Sequence, residues 1–182
     1  MSLHLRLELA QVDSVEDPLG LGRLQVEYAD GLVSDWLQLA SPFAGPGYGM
    51  FALPQKGAPA LVAFAMDDRT TGYVIGFPWD GKAKPIIEDK KKQPQVWTLQ
   101  TNKKKKITLD DSDQCSIEIT DEKGNLVKFD TSNNTVSIVS KGDLSINADG
   151  KVSIVSKGDL SIKSNGKVKI EGSEIHLDAP AG

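Results

Sequence analysis

The chain has 182 residues, of which 17 are glycine and only 6% aromatic, and its formal net charge is −4. That balance gives no global electrostatic case for nucleic-acid binding, and the longest apolar run, Ala58–Met66, is far too short to cross a bilayer. The opening MSLHLRLEL lacks the basic segment and apolar core of a signal peptide, and the single cysteine, Cys115, excludes an intrachain disulfide and suits synthesis in the cytosol.

Residues 1–81 read as a separate β domain. Candidate strands are Leu3–Val12, Gly22–Tyr28, Ser34–Ala40, Ala58–Met66 and Gly72–Phe77. Turns are marked by Asp17-Pro18-Leu19-Gly20, Ala44-Gly45-Pro46-Gly47 and Asp67-Asp68-Arg69. Five short strands over about eighty residues fit a small five-stranded barrel of the OB type, or a sandwich. Residues 82–95, with Pro85, Pro94 and the run IIEDKKKQ, read as a linker.

From residue 96 to 178 the chain is repetitive. VSIVSKGDLSI occurs at Val136–Ile146 and again, unchanged, at Val152–Ile162. Each sixteen-residue interval splits into two related eights with the pattern Gly, polar, Val/Leu, Ser/Lys, Ile, then polar residues. Two apolar residues separated by a polar one have the period of a strand with one buried face. A helix reading fails, because Gly every eight residues would weaken it severely. The pairs are Trp97/Leu99, Ile107/Leu109, Ile117/Ile119, Val127/Phe129, Val136/Ile138, Leu144/Ile146, Val152/Ile154, Leu160/Ile162, Val168/Ile170 and Ile175/Leu177. Their spacings run 10, 10, 10, 9, 8, 8, 8, 8, 7, so the connections shorten along a tapering rod. Glycine at each octad boundary is read as the residue that permits a tight corner.

Each strand buries about two side chains, and at least three strands are needed to enclose an interior. One chain supplies little more than three turns, near the minimum for a repeat array. Three chains sharing each rung would close the interior with one strand apiece and give a shaft of roughly 45–50 Å at ~4.8 Å per strand. The pattern by itself leaves both arrangements open.

Several N-terminal segments then follow in a familiar order: GRLQV (22–26), DWLQLASPFAG (35–45), FALPQKG (51–57) and VIGFPWDGK (74–82). Together with the octads, this resembles the phage baseplate assembly protein V family and the spike part of VgrG proteins of type VI secretion. The resemblance covers nearly the whole chain. It implies an all-β protein: an OB-like barrel followed by an intertwined, triangular, trimeric β-helix whose core is formed by the ten pairs. It further implies a homotrimeric, membrane-piercing baseplate needle with no enzymatic activity and no cofactor. Partners implied are baseplate hub or tail-tube proteins at the barrel, a transient target membrane, and no nucleic acid. Assembly would take place in the bacterial cytoplasm, into a phage tail or related injection particle. Neither a lysozyme-like insert nor a VgrG-type hub domain is recognisable, so a cell-wall hydrolase is not implied and the hub is expected to be another protein.

Rivals remain. An OB barrel on a trimeric stalk would instead grip an oligonucleotide or glycan, a hydrolase would clear peptidoglycan, and an adhesin would carry a head beyond the shaft. The chemistry available is sparse. Asp67 and Asp68 before Arg69 read as a turn rather than a carboxylate pair. His4 lies at a terminus. Between inward Ile175 and Leu177, alternation sends His176 outward, away from any axial metal. Lys90–Lys92 and Lys103–Lys106 lack the interleaved aromatics of a base-stacking surface and read as a solvated surface that keeps strand edges from pairing with other chains, with a contact for lipid phosphates or a baseplate partner as the alternative. Cys115, two residues before Ile117, reads as a small buried apolar residue. The tail 179–182 cannot extend the octads. Leu177, Asp178, Ala179 and Pro180 are therefore the candidate contact for a small PAAR-like tip protein, with a disordered tail as the alternative.

Overall fold

The computed structural model describes residues 5–65 and 68–177. The described residues contain no helix, and their contacts divide the chain into two units, 1–141 and 142–182.

The first unit opens with a curled five-stranded sheet. Its strands are β1 (Leu5–Ser14), β2 (Gln25–Tyr28), β3 (Gln38–Leu39), β6 (Pro59–Ala65) and β7 (Tyr73–Gly76), in the order β2-β1-β6-β7-β3. β1 pairs antiparallel with both β2 and β6, while β3 runs parallel to β7. The sheet closes on itself where Leu24 and Leu37 exchange two backbone hydrogen bonds, at 3.0 and 2.8 Å. Side chains of period two point into the curl: Ala10 and Val12, Leu24, Val26 and Tyr28, Leu37, then Ala60, Val62, Phe64 and Val74 make its core. The result is OB-like, as the sequence implies.

Predicted strand 34–40 survives only as the two residues of β3. The cause is local. The Ser34 hydroxyl accepts the Val26 amide at 3.0 Å and donates to the Asp35 carbonyl, so a side chain replaces a backbone partner and breaks the ladder. The turn predicted at 44–47 is the tip of a small hairpin of β4 (Ala44–Gly45) and β5 (Tyr48–Gly49).

A second sheet follows in the same unit: β8 (Val96–Gln100), β9 (Lys106–Asp110), β10 (Ser116–Thr120), β11 (Leu126–Asp130) and β12 (Thr135–Val139). Consecutive strands pair antiparallel throughout. The sequence reading let all ten shaft strands interleave between chains. These five instead pair within their own chain, because connections of four or five residues are long enough to reverse direction.

In the second unit, residues 142–177 run extended with bends at Asp149-Gly150, Lys157-Gly158 and Asn165-Gly166. The eight-residue period is thus present in the backbone. No strand pairing is made there, and residues 144–177 make no backbone-to-backbone hydrogen bond with any described residue.

Candidate functional site

Register decides what the second sheet presents. Trp97, Leu109, Ile117, Phe129 and Val136 lie opposite one another across the five strands, as do Leu99, Ile107, Ile119, Val127 and Ile138. Directly opposed residues share a face, so the ten form one continuous apolar surface. Val127 is half-buried and the other nine are exposed, Trp97 to 72% and Ile138 to 63%. The opposite face holds polar residues that satisfy each other: Thr98 and Thr108 hydroxyls 3.3 Å apart, and Lys128 paired with Glu118 at 3.2 Å. Within one chain the usual distribution is inverted, with Thr108 and Ser116 buried and isoleucines open.

The exposed face amounts to an area on the order of 1,000 Å², against roughly 300–600 Å² for the largest patch of a typical monomer. It is of the same order as the ~800 Å² per partner of a standard protein interface. The later pairs Leu144/Ile146, Val152/Ile154, Leu160/Ile162, Val168/Ile170 and Ile175/Leu177 are exposed too, Ile154 to 70% and Ile170 to 69%. Extended backbone that makes no strand pairing with any described residue, carrying open apolar pairs, leaves strand edges exposed.

The barrel carries a second surface that the sequence reading did not find. A cleft of about 750 Å³ lies against Leu39 and Gly76, walled by Leu21, Tyr48, Met50 and Phe51. Glycine makes it possible: a Cβ on Gly22, whose φ is +72°, would stand 2.7 Å from the Phe51 ring, and one on Gly45 would strike the Tyr48 ring. Leu21 is held in place by Asp17. That carboxylate accepts the amides of Leu19, Leu21 and Arg23 and pairs with the Arg23 guanidinium at 2.7 Å. The signal in the sequence was GYGMF, an aromatic-apolar run between glycine turns.

The remaining candidates are dispersed. Asp68 accepts the Thr70 amide and the Thr70 and Thr71 hydroxyls, which lowers its pKa and makes it a turn residue; Asp67 lies outside the described residues. Arg69 stacks 4.4 Å over the Tyr28 ring and grips Asp30 with two hydrogen bonds. Burial pushes the Tyr28 hydroxyl up. His176 sits on the surface with Glu174 at 3.1 Å. Among the described residues no three His, Cys, Asp or Glu side chains come together as a metal site. Cys115 is half-buried in the connection before β10 rather than in the strand, with φ +36°, so strand alternation does not reach it. Leu177 is 91% exposed; Asp178, Ala179, Pro180 and His4 lie outside the described residues. No helix among the described residues is long and apolar enough to cross a membrane.

Residues 8–79 match the family described as the Type VI secretion system/phage-baseplate injector OB domain. The match spans the curled sheet and its cleft, and agrees with the resemblance carried by the sequence motifs. No curated protein matches the chain.

Proposed function

We propose that this protein is the non-enzymatic central spike of a contractile phage tail or a related contractile injection system, working as a homotrimer. The observation that carries the proposal is the exposed apolar face of β8–β12, followed in the sequence by octads that make no strand pairing with any described residue. Three such faces turned toward a common axis bury one another. At about 25 cal/mol per Å², removing on the order of 1,000 Å² per chain from water contributes about 25 kcal/mol before ordering costs.

In the second unit, octads of three chains would pair strand to strand, since their strands make no pairing with any described residue of their own chain. The shaft core would then be the ten pairs Trp97/Leu99 to Ile175/Leu177. Outward Ser137, Ser145, Ser153, Ser161 and Lys169 would keep its sides polar. The barrel, matched to an injector domain, would join baseplate hub or tube proteins, with its cleft as one contact. A PAAR-like tip protein would cover the open strand edges at Leu177–Pro180. The driving force would come from sheath contraction elsewhere; the spike's task is to stay rigid while it passes the target envelope.

Light scattering of the purified full chain tests this. The expected mass is three times the 19.6 kDa of one chain. A monomer at micromolar concentration would defeat the proposal.

A further inference from the structure

The two edges of the β8–β12 sheet are oppositely charged. Consecutive antiparallel strands place their connections alternately on two sides. One side carries 101–105, 121–125 and the end of β12; the other carries the start of β8, 111–115 and 131–134. On the first edge stand Lys103, Lys104, Lys105, Lys106, Lys123 and Lys141 with Asp121 and Glu122, six cations less two anions, a formal +4. On the second stand Asp110, Asp111, Asp113 and Asp130, with Lys92 of the turn before β8 near enough to Asp110 to help hold its carboxyl below the usual range, four anions less one cation, a formal −3.

Much of that charge is uncommitted. Lys105 takes Glu122 at 3.0 Å, and Asp121 is occupied by the backbone of its own turn. Lys103, Lys104 and Lys106 make no ion pair with any described residue, and neither do Asp111 and Asp113. Asp110 and Asp130 are engaged, the first with the Ser112 amide and the second with Asn133 and Lys128.

We infer that the basic edge of one protomer docks against the acidic edge of the next copy, head to tail around the trimer axis. This rests on the homotrimeric reading above and adds what selects the neighbour and its direction. Topology makes the two edges fit. Turns on one edge recur every second strand, about 10 Å apart, and the opposite edge is offset by one strand, about 4.8 Å. Rotation about the axis with no shift along it therefore sets the turns of one copy between those of its neighbour. Such a heterologous contact closes into a ring rather than growing into a filament.

The same charges reject the wrong partner. A copy inverted end for end, with its apolar face still inward, exchanges its left and right edges. Lysines would then meet lysines and aspartates meet aspartates, which selects three parallel chains. Complementary exposed charge acts chiefly through the rate of encounter and fades with salt.

Three variants of the full chain test it: Lys103→Glu/Lys104→Glu/Lys106→Glu, Asp111→Lys/Asp113→Lys, and the two sets combined. Trimer formation on refolding is followed by light scattering at low and ordinary salt. Each single-edge variant is expected to assemble about tenfold more slowly at low salt. The combined variant, whose edges carry a formal −2 and +1 once Lys92 is counted, has opposite edges again and is expected to recover most of the wild-type rate. Single-edge variants that assemble as fast as wild type overturn the inference while the trimer stands. So does a combined variant as slow as either. A monomeric wild type instead defeats the trimer itself, and with it this inference.

Discussion

Four connections join the strands of the second sheet, and each contains one residue of left-handed backbone: Lys104 (φ 62°), Cys115 (φ 36°), Gly124 (φ 85°) and Asn134 (φ 53°). A type I turn followed by one such residue is an ordinary way to reverse a strand in four or five residues. Gly and Asn tolerate it, whereas Lys and Cys carry a Cβ against the following carbonyl. Cys115→Gly is therefore expected to stabilise the full chain by about 1 kcal/mol, read as a higher urea midpoint. An unchanged or lower midpoint would mean the Cys115 side chain matters more than its backbone. The barrel has a titrating clasp. Hydrogen bonds from Arg69 hold the Asp30 carboxyl at about 2, below its ordinary 3.8, and Arg23 holds Asp17 lower still. Because folding depresses these pKa values, their contribution is present above pH about 4 and fades as pH falls through about 2. Asp30→Asn should flatten the fall in melting temperature over that window, and an unaltered slope would refute the clasp.

At the scale of elements, β12 offers a clean contrast. Ile138 lies on the apolar face and Ser137 on the polar one, one residue apart on the same strand. In the proposed trimer Ile138→Asp would bring three carboxylates toward one axis, where an unpaired buried charge costs several kcal/mol. Ser137→Asp would leave its carboxylate in water. Loss of the trimer with the first and retention with the second is the expected result of light scattering; equal behaviour would mean the face is not an interface. The octad glycines behave otherwise than expected. Gly142, Gly150 and Gly158 do not adopt left-handed backbone, and a Cβ on any of them would meet open space within its own chain. Nothing in one chain requires glycine there. In the proposed trimer, close approach of neighbouring chains would supply a physical reason for it.

For the whole molecule, the two constructions of the proposed shaft predict its kinetics. Strands 96–139 hold their backbone hydrogen bonds within a chain, but octad strands would hold theirs only between chains. Unfolding then demands that three chains separate before any octad is free, so the barrier is high even where each local contact is modest. The proposed trimer should resist unfolding in mild detergent well above 50 °C, a temperature in the lower part of the range of about 45–65 °C where ordinary mesophilic domains melt. Loss of structure near 50 °C would contradict that construction.

Sequence by itself determined the β character, the ten apolar pairs and the change of spacing from 10 to 8, because side-chain alternation is a property of each strand alone. It also marked a strand at Ala58–Met66, but which of its apolar residues enter the barrel core (Ala60, Val62 and Phe64) is read from the structure. Which strand pairs with which was decided only in three dimensions. Trp97 and Val136 share a face because four successive reversals carry the chain back and forth, and reversal depends on backbone torsions at Lys104, Cys115, Gly124 and Asn134. Closure of the barrel at Leu24 and Leu37, the cleft walled by Phe51, and the sorting of lysines and aspartates to opposite edges likewise join residues distant in the chain. Periodicity sets which way each side chain points; only the path of the backbone sets what it points beside.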